Sequence, residues 1–443
     1  VDVQCGSTLT LGSSGKTVTL ATGASQSGFG RTGTVDWCST VYTNSPGTIT
    51  SVSGKGYFIN TTSGAVTINL PSSPSFGDII SIKDYAGTFA CNATTIGRGG
   101  SKINGVCSCA TLLTNDQSIT LIYVDGTKGW QSVQETSTIA QADQFITATG
   151  GTITTVCTNY KVHVFDSDAT FTVTGGSGAK ALISYMVVAG GAGGSGRYAG
   201  GSGGGGFREA KANTPTVPDS FTASPLATTG MPISPGSYPI AVGAGGTGGP
   251  SSPSTAEGTA GSISSFNGIT SAGGGAGGGQ GQDGGNPGGS GGGGSYGPAP
   301  NTGAALKGSG NTPPVSPAQG NDGGAGYGPD SPYGGGGGGG ATEAGVEAVS
   351  NQSGRGGAGA TTSITASPVG YSGGGGGSNN NTPGHSGGAG SPCGSGTGAT
   401  PSSGSGNNAA VNRGGGGGSG FYPASTSGGN GGSGKVVIRY KFQ

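Results

Sequence analysis

Few side chains in this chain could do chemistry. There are two histidines, His163 and His385. His163 alternates with Val162 and Val164, which puts it on one face of a strand, where an imidazole serves structure or surface rather than proton transfer. His385 stands in Pro-Gly-His-Ser-Gly, a loop composition in which a solvated side chain is the expectation. Asp166 and Asp168 form a D-x-D between two β-runs. Paired carboxylates can cleave glycosides or hold calcium, but two acids in a polar turn most simply make the turn. Cys107-Ser-Cys109 is a lone C-x-C without the second half of a zinc site. Matches to G-x-G-x-x-G follow from composition alone and lack the strand–helix context of a nucleotide site. No catalytic constellation results, so no enzyme, cofactor or metal is expected.

Aromatic residues carry the case for binding. Tyr198, Phe207, Tyr296, Tyr327, Tyr333, Tyr371, Phe421 and Tyr422 stand at the edges of glycine tracts. A glycine core cannot use all of them. Some are expected on the surface, where tyrosine is a favoured contact for saccharide or protein. The alternative is that they cap the ends of the glycine segments.

The elements that would position these residues fall into three zones. Residues 1–46 begin with short runs of β-branched residues, Ser7-Thr-Leu-Thr-Leu and Lys16-Thr-Val-Thr-Leu. Such runs are too small to bury a core alone and suit a thin β stalk. Residues 47–135 read as a small antiparallel β domain, with strands around 56–60, 65–70, 78–83, 118–124 and 129–133 separated by turn residues. Asp125-Gly-Thr-Lys-Gly-Trp130 reads as a hairpin. Residues 144–443 enter through strands at 145–150, 160–165, 169–173 and 182–188 and close on Lys435-Val-Val-Ile-Arg-Tyr-Lys-Phe. Between them, 83 of the 107 glycines fall in residues 190–443, about one residue in three, with no strict Gly-X-Y period. A flexible linker needs no strand at its far end, so 182–188 and 436–442 are expected to pair and close one domain. The fold class expected is all-β.

Glycine loses the most backbone entropy on ordering, about 1–2 kcal/mol per residue or more, and offers no side chain to offset it. The remaining resource is the backbone. Glycine segments in polyglycine-II helices can pack side by side and satisfy their N–H and C=O groups between neighbours.

Composition excludes other classes. Charged residues are 8% of the chain, with 18 basic against 18 acidic, so there is no electrostatic footprint for nucleic acid. No apolar run approaches the roughly 20 residues of a membrane span. The start of the chain lacks signal-peptide features and an initiator Met, which reads as a fragment or a processed form. Seven irregularly spaced cysteines read as free or buried thiols of a protein assembled in a reducing cytoplasm.

The run Tyr160-Lys-Val-His-Val-Phe, then Thr170-Phe-Thr-Val-Thr and Tyr185-Met-Val-Val-Ala-Gly-Gly, resembles the entry of glycine-rich domains in fibre proteins of marine T4-like phages, notably cyanophages. The ending Gly432-Ser-Gly-Lys-Val-Val-Ile-Arg-Tyr-Lys-Phe-Gln is similar to the terminus of those domains. Upstream, Gly28 to Trp37, Gly56 to Gly64 and Leu121 to Trp130 resemble modules of the same proteins. A more distant likeness is to the tail-fibre adhesins of T-even-like phages, built from packed polyglycine-II helices. The resemblance implies a homotrimeric fibre on the virion surface. Its partners would be other virion proteins and a host cell-surface glycan or protein, bound through loops of the glycine-rich domain. A spacer or decoration fibre without receptor binding and a cellular adhesin are the alternatives.

Overall fold

Alternation of branched or aromatic residues with polar ones makes half-buried strands wherever it occurs, and the structure is all-β. The computed structural model describes residues 35–443 except 46, 136–139, 142, 253–255, 281–283, 297–306, 329–332, 351, 380–386, 401–403 and 422–425. The chain divides into two compact units, residues 1–142 and 143–443.

In the first unit the strands are β1 (Asp36–Tyr42), β2 (Thr48–Thr50), β3 (Lys55–Ile59), β4 (Val66–Asn69), β5 (Ile79–Asp84), β6 (Thr94–Gly97), β7 (Ala110–Leu112), β8 (Ser118–Asp125), β9 (Gly129–Glu135) and β10 (Ala140–Gln141). They form two five-stranded sheets, ordered β1-β3-β5-β8-β9 and β10-β7-β6-β4-β2. The expected antiparallel domain is corrected here. β1, β3 and β5 pair in parallel, as do β2, β4 and β6, and only the later strands are antiparallel. From β2 to β6 the chain changes sheet at every strand. The short turn segments, including Pro71 to Pro74, therefore arch between sheets instead of folding hairpins. The hairpin expected at Asp125 to Trp130 is present, with the Asp125 carboxylate accepting the N–H groups of Thr127 (2.8 Å) and Lys128 (2.6 Å). Alternate residues point inward and meet in one core that includes Tyr57, Ile59, Ile68, Ile80, Ile82, Leu121 and Trp130. The stalk runs expected near residues 7 and 16 lie outside the described residues, and residues 36–42, assigned to the stalk by sequence, form the edge strand β1.

In the second unit the strands are β11 (Gln144–Thr149), β12 (Thr152–Val156), β13 (Tyr160–Phe165), β14 (Ala169–Ser177), β15 (Leu182–Val188), β16 (Phe207–Lys211), β17 (Thr228–Thr229), β18 (Met231–Pro232), β19 (Gly236–Ala241), β20 (Ser264–Phe266), β21 (Ile269–Ser271), β22 (Ala360–Thr362), β23 (Val369–Tyr371) and β24 (Lys435–Lys441). One sheet runs β11-β14-β19-β20-β21; the other runs β12-β13-β24-β15-β16-β17, with β18 also on β15. The pairing expected between 182–188 and the closing strand is observed: β15 and β24 run antiparallel, with Val188 opposite Lys435 and Ile183 opposite Tyr440. Both strands are covered on two faces. Ile183, Tyr185, Val187, Val436, Ile438 and Tyr440 enter the core between the sheets. Met186, Val188 and Val437 enter a second core with Phe207, Phe221, Ile364 and Tyr371. Double burial explains why these strands read as near-continuous apolar runs.

The glycine tracts leave the strand ends and are largely buried, yet carry almost no regular strand. Their backbone bonds follow a period of three. Along 335–341, the N–H groups of Gly335, Gly338 and Ala341 donate to Ser378, Gly375 and Ser372; those of Gly336 and Gly339 donate to Gly294 and Gly291; those of Gly337 and Gly340 donate to Val346 and Glu343. Each third residue thus addresses the same neighbour. Residues 200–206 repeat the pattern toward 278–272, 336–339 and 417–414. Added Cβ atoms on Gly336, Gly337 and Gly338 would overlap the carbonyl oxygens of Gly324, Arg355 and Ser202 respectively. The few side chains inside are small. Ser202 is fully buried, and its hydroxyl donates to the carbonyls of Ala192 and Gly417, both at 2.8 Å.

Candidate functional site

The register of these bonds gathers one set of turns at the end of the second unit away from its sheets. β15 runs into 189–196, the chain turns at 196–199 and returns through 200–206 to β16. The Gly196 N–H donates to Ala256, that of Ser378 to Ala199 and that of Gly420 to Ser195. That of Gly336 donates to Gly294, which brings the chain on both sides of 295–335 to the same end.

Three tyrosines meet at this far end. Tyr198 sits in the 196–199 turn at φ 49°, in the left-handed region, and is 8% exposed. Its ring meets those of Tyr296 and Tyr333 edge-on, with centroids 5.2 and 5.9 Å away. The rings of Tyr296 and Tyr333 are 4.3 Å apart at 32°, and both residues are half-buried. Gln280 donates from Nε2 to the Tyr296 hydroxyl at 3.5 Å. Tyr327 is exposed, and its backbone exchanges two hydrogen bonds with Gly334, next to Tyr333. The cluster joins one buried and two half-buried rings, and tyrosine combines an apolar body with a polar tip, which suits contact with a polar surface.

The other sequence candidates fall elsewhere. Phe207 and Tyr371 are 1% and 2% exposed and belong to the core against the seven-stranded sheet. They are corrected from surface contacts to packing residues. Glycine tracts have two ends, and these residues flank the buried one. Burial also raises the pKa of the Tyr371 hydroxyl. Phe421 is 3% exposed; it stands at the far end but faces inward. Tyr422 and His385 lie outside the described residues.

Asp166, Asp168 and His163, considered for chemistry, hold the fold. Asp166 pairs with Lys435 at 2.6 Å, and Asp168 accepts the N–H of Val242 at 2.8 Å. His163 is fully buried between Phe171 and Tyr440. Its Nδ1 lies 2.7 Å from the Gly150 carbonyl, which can only accept, so Nδ1 carries the proton. Nε2 then accepts from the Tyr440 hydroxyl at 3.0 Å. Burial lowers the imidazole pKa and pushes that of Tyr440 up to about 12. Among the described residues no three His, Cys, Asp or Glu side chains converge as a metal site, and no helix is long and apolar enough to cross a membrane.

A neutral buried His163 makes stability fall in acid. The unfolded imidazole titrates near pH 6.5, and the folded one lower, so the unfolded state binds the extra proton first. Stability is full above about pH 6.5 and is lost as pH falls from there toward the lowered pKa, with a slope of at most about 1.4 kcal/mol per pH unit. His163→Gln has no such proton to bind. Chemical unfolding of both proteins between pH 7.5 and 5 should show the advantage of the wild type shrinking with acid. A constant difference would contradict a neutral His163.

A second feature escaped the sequence reading. A cleft of about 360 Å³ lies between the cross-bonded segments 346–349 and 352–355 on one side and 387–389 on the other. Beside it Arg355 makes a two-pronged pair with Glu343, at 2.6 and 3.1 Å. That pairing lowers the Glu343 pKa and raises that of Arg355. The one signal in the sequence is an acid and a base 12 positions apart across a turn, too common a pattern to single out. The buried pair Arg439–Asp219 and the buried Glu209 escaped for a different reason: their partners lie far along the chain.

No curated protein matches this chain. Residues 166–441 match the family model of a glycine-rich domain, a span that starts at the turn before β14 and ends with β24. The chain belongs to the glycine-rich domain family.

Proposed function

We propose that this chain is a fibre protein of a phage virion, attaching the particle to a receptor on the host surface through the far-end turns of its glycine-rich unit. In this reading the glycine tracts pack as polyglycine-II helices. The period of three in their hydrogen bonds fits a helix with three residues per turn and no internal bonds. The observation that carries the functional reading is that a nearly side-chain-free interior ends in a collection of turns with clustered tyrosines. Such an interior is rigid but can recognise nothing; the turns are where side chain chemistry is free to vary. The receptor is a cell-surface glycan or protein. Three copies per fibre, the arrangement the sequence resemblance implies, would strengthen weak single contacts through multivalency.

The test is attachment of the labelled full-length chain to intact cells of candidate hosts. Tyr333→Ala and Tyr296→Ala should each weaken saturable attachment about tenfold or more, while a cooperative, slightly lowered melting transition shows that the variants still fold. Attachment equal to that of the wild type would move the protein to the alternative, a spacer or decoration fibre.

A further inference from the structure

We propose that the cleft beside Arg355 is a binding site for a neutral, hydroxyl-rich saccharide. This rests on the reading of the unit as a surface-binding one and names the class of ligand. The cleft's volume of about 360 Å³ lies within the roughly 300–1,000 Å³ of small-molecule sites. Its wall is held by a closed ladder: Val346 donates to Arg355 at 3.0 Å, and Val349 and Gln352 exchange N–H···O bonds of 2.9 and 3.0 Å. Across it, Gly356 donates to Ala389 at 2.9 Å, and a Cβ on Gly388 would overlap the Gly354 carbonyl oxygen. The walls are therefore set before any ligand arrives.

The lining dictates the ligand. Val346, 38% exposed, offers an aliphatic patch of the kind that packs against the C–H face of a sugar ring. Gln352 and Glu347 are exposed and bring a donor–acceptor amide and an acceptor. Arg355 brings a planar donor fork fixed from behind by Glu343. Ser353 lines the same cleft and is 4% exposed, and its hydroxyl has no hydrogen-bond partner. Buried polar groups are ordinarily satisfied, so a small rotation of the Ser353 side chain toward the cleft would give this hydroxyl a partner. Mixed donors and acceptors beside one aliphatic wall match neighbouring ring hydroxyls. Arg355 is already charge-paired with Glu343, and Glu347 leaves the cleft with one unpaired carboxylate, which turns away phosphates and other anions; one exposed carboxylate is too little to hold a polyamine, so a neutral ligand fits best.

The experiment probes the full-length chain on immobilised neutral di- and trisaccharides, with sialylated and sulfated glycans as charged controls. Gln352→Ala removes the amide and Val346→Trp fills the cleft. Both positions are exposed, and melting curves establish that the variants fold. The expected result is retention on a subset of neutral glycans, weakened about tenfold by Gln352→Ala and abolished by Val346→Trp. No retention on any neutral glycan, preference for the charged ones, or equal retention of both variants would overturn the proposal. Cell attachment lost with Tyr333→Ala but kept with both cleft variants would sink this site alone and leave the receptor-binding reading standing.

Discussion

Gly338→Ala is expected to unfold the glycine-rich unit, whereas Gly236→Ala leaves it folded. The added methyl at 338 would overlap the Ser202 carbonyl oxygen and lie 2.9 Å from Gly203 N, inside the 3.0 Å that Cβ atoms respect. That carbonyl also accepts the Gly375 N–H at 2.8 Å, and Gly338 itself donates to the Gly375 carbonyl at 2.9 Å. One methyl therefore presses on a point where three segments are bonded together. No side chain can rotate aside, because the obstacle is backbone. Overpacking a core in which side chains can adjust costs about 1–3 kcal/mol, and this site should exceed that range. Against a total stability of about 5–15 kcal/mol for a domain, the loss is expected to lower the melting temperature sharply. At Gly236 the nearest atom is the Tyr238 hydroxyl at 3.7 Å, an ordinary contact. Thermal unfolding of the two variants with limited proteolysis checks this; equal melting would remove the case for a close-packed glycine interior.

Arg439→Met should be the most damaging change in the sheets. The guanidinium is 1% exposed, donates from Nε to both Asp219 oxygens at 2.9 and 3.0 Å, and lies over Tyr160 and Phe221 at 4.8 and 5.3 Å. Ser184 adds a bond to Asp219 at 3.1 Å and accepts the Ala212 N–H at 2.9 Å. This network ties the 212–221 insert to β15 and β24. Without the arginine, Asp219 is a buried, unmatched carboxylate, and breaking such a pair costs about 3–5 kcal/mol. The Asp219 pKa is already raised by burial, with Arg439 pulling it down, so removing Arg439 raises it further. A raised carboxyl pKa favours folding below the unfolded value, near pH 3.9, and that benefit is lost as pH climbs through the folded pKa. The deficit of Arg439→Met should therefore be largest at neutral pH and shrink in acid. The double variant Arg439→Met/Asp219→Leu should recover much of the loss. Denaturant melts at pH 7 and pH 4.5 decide it; equal deficits at both would mean that packing rather than charge is lost.

The strands that could be read from sequence were those with several alternating apolar residues, such as β3, β5 and β8. β6 and β7 are three or four residues long and present too few inward positions to stand out. The parallel pairing of the first unit was hidden because an arch between sheets and a hairpin use the same turn residues. The closure of β15 on β24 was legible, since a strand at the far side of a glycine region has to pair with something. For the candidate site, sequence marked the aromatic residues but could not assign them to an end. Tyr371 and Tyr333 both border glycine tracts, and only the bond register separates a core residue from a far-end one. The cleft beside Arg355 is lined by ordinary residues and exists only through the packing of 387–389 against 346–347 and 352–355.

Amide hydrogen exchange of the whole chain, resolved by peptide, separates an ordered glycine interior from a flexible one. The amides of 200–206 and 335–341, bonded in threefold rotation to neighbours, should exchange over hours, while the exposed turn from Ser72 to Phe76 exchanges within seconds. Uniform exchange within seconds across all the glycine tracts would contradict an ordered glycine interior, and with it the rigid display of the far-end turns.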